Sequence, residues 1–331
     1  MDLGSGSALV AASAALFGIG AVFGVVAERS AFCTMGAVAD VVLFGGRRRA
    51  RLWAGAVATT MLALHALALA GWFAPTASLA WRAEAPALAV VGGVVFGVGM
   101  VVAGGCVSRA WIRAASGSLK GVVVVAAAAV GIALVAPLLP LAGPPATATA
   151  STPWPGLAAG LVLATWVVRD ERFRRSTGAP ATALALGGLV ALAHLASAPV
   201  APDGVRFVVP LALAFDGAPV AALPGFAVVA GAALGAAVSA VHGGRWRGEP
   251  WGGVGDGLRH VAGGLAMGVG GTLALGCTVG AGIGGVAVLA PAAWLALGGM
   301  IVGATLALKL MLAGGPSGAW RLVRRRFAGG T

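Results

Sequence analysis

The 331-residue chain is 59% hydrophobic and only 10% charged, with a mean hydropathy of +0.97. A soluble globule carries about 25% charged residues, so a soluble fold is excluded. The net charge of +12 would suggest a nucleic-acid partner in a soluble protein, but in a chain this apolar it is a topology signal and no nucleic acid is implied.

The first apolar run, about 8–27, has no basic residue before it and no small-residue cleavage site, so it reads as a retained span. The stretch SAFCTMGAVADVVLFGG (30–46) is too short to cross and carries Cys33 near its start, which predicts a half-helix that dips in and returns. After the cluster Arg47, Arg48, Arg49 and Arg51, spans are predicted at about 52–74, 87–105, 119–142 and 156–168. A second basic loop, RDERFRR (169–175), precedes spans at about 181–198, 223–241, 254–276 and 292–312. The pieces 207–217 and 277–289 are short enough to be re-entrant, and the proline-rich stretch 143–155 fits an exposed turn. The expected architecture is an all-α polytopic membrane protein, one transmembrane domain over 1–331 with about nine spans, closed by a basic tail at 314–331.

With the amino terminus outside, the inner loops of this arrangement hold 18 basic residues and the outer loops 2, Arg82 and Arg206. That asymmetry sets the orientation, with the carboxyl terminus in the cytoplasm. Glu28 and Arg29 read as a local ion pair at a span end, and Asp40 as a segment cap or a proton contact. Lys309 reads as a snorkelling residue. His65, His194 and His242 read as hydrogen-bonded structural histidines, and most of the ten tryptophans as interface anchors.

An internal repeat organises the rest. GGVVFGVGMVVAGGCVSRA (92–110) and GGLAMGVGGTLALGCTVGA (263–281) align without a gap at an offset of 171, bringing Gly105 onto Gly276 and Cys106 onto Cys277. Four predicted spans separate the copies, so they cross in opposite directions, and the internal halves, about 8–142 and 156–313, are inverted. Inverted repeats place broken segments face to face near the bilayer midplane and build a central site.

The three cysteines, Cys33, Cys106 and Cys277, lie where a span gives way to a short segment. A disulfide framework is not expected, and no CxxC or Cys/His cluster supports a metal or cofactor. Thiols are soft, polarisable partners and weak donors, and helix starts favour anions. A small sulfur anion suits both, and no acidic residue lies within either repeat copy. The candidate substrate-binding set is Cys33, Cys106, Cys277, Gly105, Gly276, Thr278 and Arg109. Arg109 and Arg113 also serve as inner-surface charges.

The segments AERSAFCTMG (27–36), FGVGMVVAGGCVSRAW (96–111) and MGVGGTLALGCTVGAGIGG (267–285) resemble the three cysteine motifs of the YeeE/YedE sulfur-transport family of bacterial inner-membrane proteins. The resemblance implies thiosulfate uptake through an hourglass-like helical protein, with the ion handed between Cys33, Cys106 and Cys277 by transient thiol hydrogen bonds and without a covalent step. It also implies a cytoplasmic sulfur-carrier or sulfurtransferase partner, besides membrane lipid, and no cofactor. A monomer is expected, since the two halves complete one pathway. The competing readings are a permease for another sulfur or selenium compound, a membrane thiol oxidoreductase and a structural membrane component. The oxidoreductase lacks a local cysteine pair and a quinone or haem signature.

Overall fold

The computed structural model describes residues 3–82, 86–139, 152–198, 204–217, 219–246, 248–249 and 252–313. The basic tail 314–331, most of the proline-rich loop, Arg247 and Trp251 lie outside the described residues, as does the side chain of Arg82.

No strand occurs among the described residues, and the chain is all-α. The helices are α1 (Leu3–Ser30), α2 (Thr34–Phe44), α3 (Arg48–Leu69), α4 (Pro86–Val102), α5 (Val107–Ala115), α6 (Leu119–Val135) and α7 (Trp154–Val168). They continue as α8 (Glu171–Arg175), α9 (Ala179–Ser197), α10 (Val209–Phe215), α11 (Pro219–His242), α12 (Val254–Leu273) and α13 (Pro291–Leu312), with a π-helical turn at Gly280–Gly285. Seven described stretches are long and apolar enough to cross a membrane. The other two predicted spans fall on α12 and on α7, which has 15 residues.

Glycine sets the packing. Gly20 and Gly24 on α1 leave no room for a Cβ against the carbonyls of Val228 and Ala232, and on the facing helix Gly231 and Gly235 press on the carbonyls of Phe17 and Ala21. Both helices thus carry the small-xxx-small spacing that lets backbones touch where lipid supplies no hydrophobic drive. The α4–α13 pair repeats the device, with Gly93 and Gly97 facing Ala296 and Met300, and Gly299 and Gly303 facing Val90 and Val94. Helix α12 meets α6 through Gly264 and Gly268 and meets α4 through Gly263 and Gly270. Further contacts join α3 to α9, α1 to α9 and α3 to α7.

One end of the bundle is bound by ion pairs: Arg51 to Asp170 at 2.7 Å, Lys120 to Asp256 at 2.8 Å and Arg245 to Glu28 at 2.7 Å. Glu249 joins Arg113 and also accepts a hydrogen bond from Ser118. The expected Glu28–Arg29 pair is not formed. Glu28 takes Arg245, 217 positions away, while Arg29 donates to Ser239 Oγ at 3.2 Å, because the α1–α11 contact brings both partners closer than a sequence neighbour can fold back. Asp40 pairs with Arg49 at 3.4 Å.

Candidate functional site

Each cysteine follows the same backbone turn. In the first repeat copy, α4 ends with Ala103 N–H donating to Gly99 O and Gly105 N–H to Met100 O. In the second, Ala274 N–H donates to Gly270 O and Gly276 N–H to Gly271 O, the same bonds at an offset of 171. The left-handed residue is Gly104 (φ 73°) in one copy and Leu275 (φ 50°) in the other, and Ala31 (φ 49°) stands in the same place before Cys33. Two of the three are non-glycine residues, which carry about 1–2 kcal/mol of strain each in this region.

The two glycines next to the thiols are not equivalent, since Gly276 has a positive φ of 157° and Gly105 does not. Gly276 is needed for close approach, since a Cβ there would lie 2.8 Å from Ala281 N. At Gly105 a Cβ would make only ordinary contact, 3.5 Å from Arg109 Cγ.

After each turn a short helix starts at the cysteine. Cys33 and Cys106 are the N-cap residues of α2 and α5, with extended backbones, and Cys277 O accepts the N–H of Ala281 at 2.8 Å as the π-helical segment begins. Each thiol faces the amide three residues on, that of Gly36, Arg109 and Gly280. Neither Cys33 nor Cys106 closes a side-chain capping bond, so the first-turn amides of α2 and α5 stay open to an acceptor.

The folded chain brings the three thiols to one place. Cys106 and Cys277 are buried, Cys33 is half-buried, and all three are free. The Cys33 thiol lies close enough to that of Cys106 for the two to interact. Cys106 Sγ lies 3.2 Å from Ser108 Oγ and beside the Thr278 hydroxyl. Cys277 sits among the amides of Val279, Gly280 and Phe207. Arg109 is near enough to act electrostatically on both Cys33 and Glu28, whereas Arg113 is held by Glu249.

Two further residues, Arg206 and Thr34, belong to this neighbourhood and are not evident in the sequence, and the candidate Thr278 resembles one of them. Arg206, read as an outer-loop charge, is 2% exposed, with its guanidinium on Leu275 O at 3.1 Å and near Ser78 Oγ. Thr34 and Thr278, each directly after a cysteine, have buried hydroxyls with no closed hydrogen bond. Several other helical Ser and Thr hydroxyls bond a carbonyl one turn back, as Thr60 does to Ala56 O and Thr272 to Gly268 O. A residue in the first turn has no such carbonyl, so its hydroxyl is left over.

The histidines match the structural reading, with Nδ1 of His65, His194 and His242 each on the carbonyl four residues back. Among the described residues no group of His, Cys, Asp and Glu is placed to hold a metal ion.

Comparison with known proteins gives a relative and a family. The chain is 32% identical over 99 residues to the thiosulfate transporter TsuA of Escherichia coli (strain K12), a match that covers 30% of this chain and 27% of that protein. The profile of the sulphur transport family matches residues 29–306, from the start of the first cysteine motif to the last helix. On the strength of that match, the chain belongs to the sulphur transport family.

Proposed function

We propose that the protein is a permease for thiosulfate or a closely related sulfur anion, passed along a path lined by Cys277, Cys106 and Cys33 without covalent chemistry. The observation that carries this reading is the proximity of the Cys33 and Cys106 thiols, with the Thr278 hydroxyl beside Cys106. Soft thiols suit the terminal sulfur of such an anion, and the open amides of α2 and α5 suit its oxygens. Gly105, Gly276 and Arg109 shape and charge this neck.

The packing supports two inverted halves. Helix α1 lies on α11 as α9 lies on α3, and α4 lies on α13 as α12 lies on α6. On that pairing the halves run 3–135 and 179–312, and α7 stands outside both, instead of opening the second half near 156. In the proposed orientation, in a bacterial inner membrane with the amino terminus outside, Cys277 is outermost and Cys33 innermost. The protein works as a monomer beside membrane lipid, and a cytoplasmic sulfur carrier takes up the delivered ion.

Uptake of labelled thiosulfate by proteoliposomes tests the path. The Cys106→Ala variant is expected to lose at least about tenfold in rate, and uptake that survives this change intact overturns the reading. A membrane-impermeant thiol reagent applied from outside is expected to modify Cys277 before Cys33. The Cys33–Cys106 proximity also favours a second reading, a thiol oxidoreductase, which requires thiol–disulfide cycling with no flux.

A further inference from the structure

A cavity of about 620 Å³ opens between the end of α1 and the starts of α3 and α9. Its walls include Arg29, Arg48 and Arg49, with Ser30, Thr177 and Thr182. Among the described residues no carboxylate lines it; Asp40 pairs with exposed Arg49 at 3.4 Å, and Glu28 accepts from the same Ser239 hydroxyl that Arg29 holds. Arg29 uses only its Nε, on Ser239, so its terminal nitrogens stay available. Three guanidinium groups on one concave wall, with only Arg49 directly paired to a carboxylate, focus a net positive potential into it.

Basic residues that only fix topology need not converge on a cavity, and the nearby Arg175 pairs with Glu171 on the surface instead. Helix α9 also begins on this wall, with no side chain capping its first turn, so its amides add to the positive lining.

The cavity lies close to Cys33 along the chain. A Cβ added to Gly36 would lie 3.0 Å from Arg49 Nη1 and 3.7 Å from Cys33 Cβ, so the guanidinium packs on α2 within one turn of the cysteine. Ser30, three residues before Cys33, lines the cavity itself. The space exceeds what one small oxyanion fills, so the anion would enter with part of its water.

We propose that this arginine vestibule is a second, electrostatic anion site, which receives a hydrated divalent oxyanion from Cys33 and holds it before release. The proposal rests on the thiol-path reading for its direction of supply, but its binding chemistry stands apart from the thiols. The same guanidinium groups also suit the phosphate of an anionic lipid headgroup, and the test separates the two sources.

The test uses the full chain in phosphatidylcholine nanodiscs, with equilibrium binding of radiolabelled thiosulfate. The Arg48→Gln/Arg49→Gln variant is expected to bind roughly tenfold or more weakly, and the Arg48→Lys/Arg49→Lys variant to keep most of the binding. Size-exclusion profile and melting temperature serve as the folding control. Cys106→Ala is expected to retain vestibule binding while losing uptake, so a failed thiol path is read in uptake and a failed vestibule in binding. Binding unchanged in the double Gln variant overturns the site. Loss of thiosulfate binding in phosphatidylglycerol nanodiscs, together with retained lipid that the double Gln variant sheds, assigns the cavity to a headgroup and overturns the holding role.

Discussion

Gly104 and Leu275 stand 171 positions apart and hold the same left-handed turn, each two residues ahead of a buried cysteine. The turn is thus a property of the backbone at these places, imposed by the C-terminal bonds of α4 and α12, and glycine relieves it in only one copy. Gly104→Ala is expected to lower stability by about 1 kcal/mol, because a Cβ is disfavoured at this φ. Leu275→Gly is expected to leave thiosulfate uptake unchanged, since it keeps the turn. Thermal melting and proteoliposome uptake check both, and a Gly104→Ala protein as stable as the parent contradicts the strain.

The buried Thr278 hydroxyl makes a prediction with two readouts of opposite sign. Leaving such a group without a closed bond costs about 1–3 kcal/mol. Thr278→Val removes that cost at nearly constant volume, so the melting temperature is expected to rise while uptake falls several-fold. Lower stability with intact uptake points to a purely structural hydroxyl.

The glycine contacts separate two kinds of substitution in one helix pair. Gly235→Ala places a Cβ on the Ala21 carbonyl and is expected to cost roughly 2–3 kcal/mol and reduce the yield of folded protein. Gly18→Ala on α1 meets nothing within 4 Å and is expected to be tolerated or mildly stabilising through helix propensity. Equal yields for the two would show that the α1–α11 interface is looser than described.

Glu249 gives a pH dependence. Partial burial opposes its ionisation, but the Ser118 hydroxyl and the Arg113 guanidinium outweigh this and hold its carboxyl below the usual 4.5. A lowered folded pKa means that the ionised group stabilises the fold above pH 4.5 and that this contribution is lost as pH falls through the folded value. The side chain is 39% exposed, so the effect stays under about 1 kcal/mol. Glu249→Gln is expected to melt slightly lower than the parent at pH 7 and to converge with it in acid; a gap that widens below pH 4.5 reverses the sign and rules the pair out as its source.

Much of this was readable from residues alone, for identifiable reasons. The repeat was visible because glycine spacing and Cys106/Cys277 survive at a constant offset, and the short helices at Cys33 and Cys277 because their apolar runs are too short to cross. Arg206 was not legible: a lone arginine in an outer loop reads as a surface charge, and only the fold brings Leu275 O to it. Thr34 was passed over because a threonine beside a cysteine has no periodicity of its own, and its leftover hydroxyl exists only once Cys33 becomes an N-cap. The roles of Arg29 and Arg49 were hidden for the opposite reason, since a cluster of arginines already had a sufficient explanation in topology. Glu28 was assigned the wrong partner because sequence proximity was the only distance available.

The buried Arg206 lies beyond Ser78, past the far end of α3 from Arg48. Along the proposed path, one mouth of the neck would carry a cation already tied to a carbonyl, and the other the basic bowl of Arg29, Arg48 and Arg49. Such a conduit would rectify. With no energy source coupled to it, both directions share one equilibrium, yet the side with the open bowl loads faster at low concentration and saturates sooner. Net flow would then respond more steeply to consumption of the ion on that side than to its supply on the other.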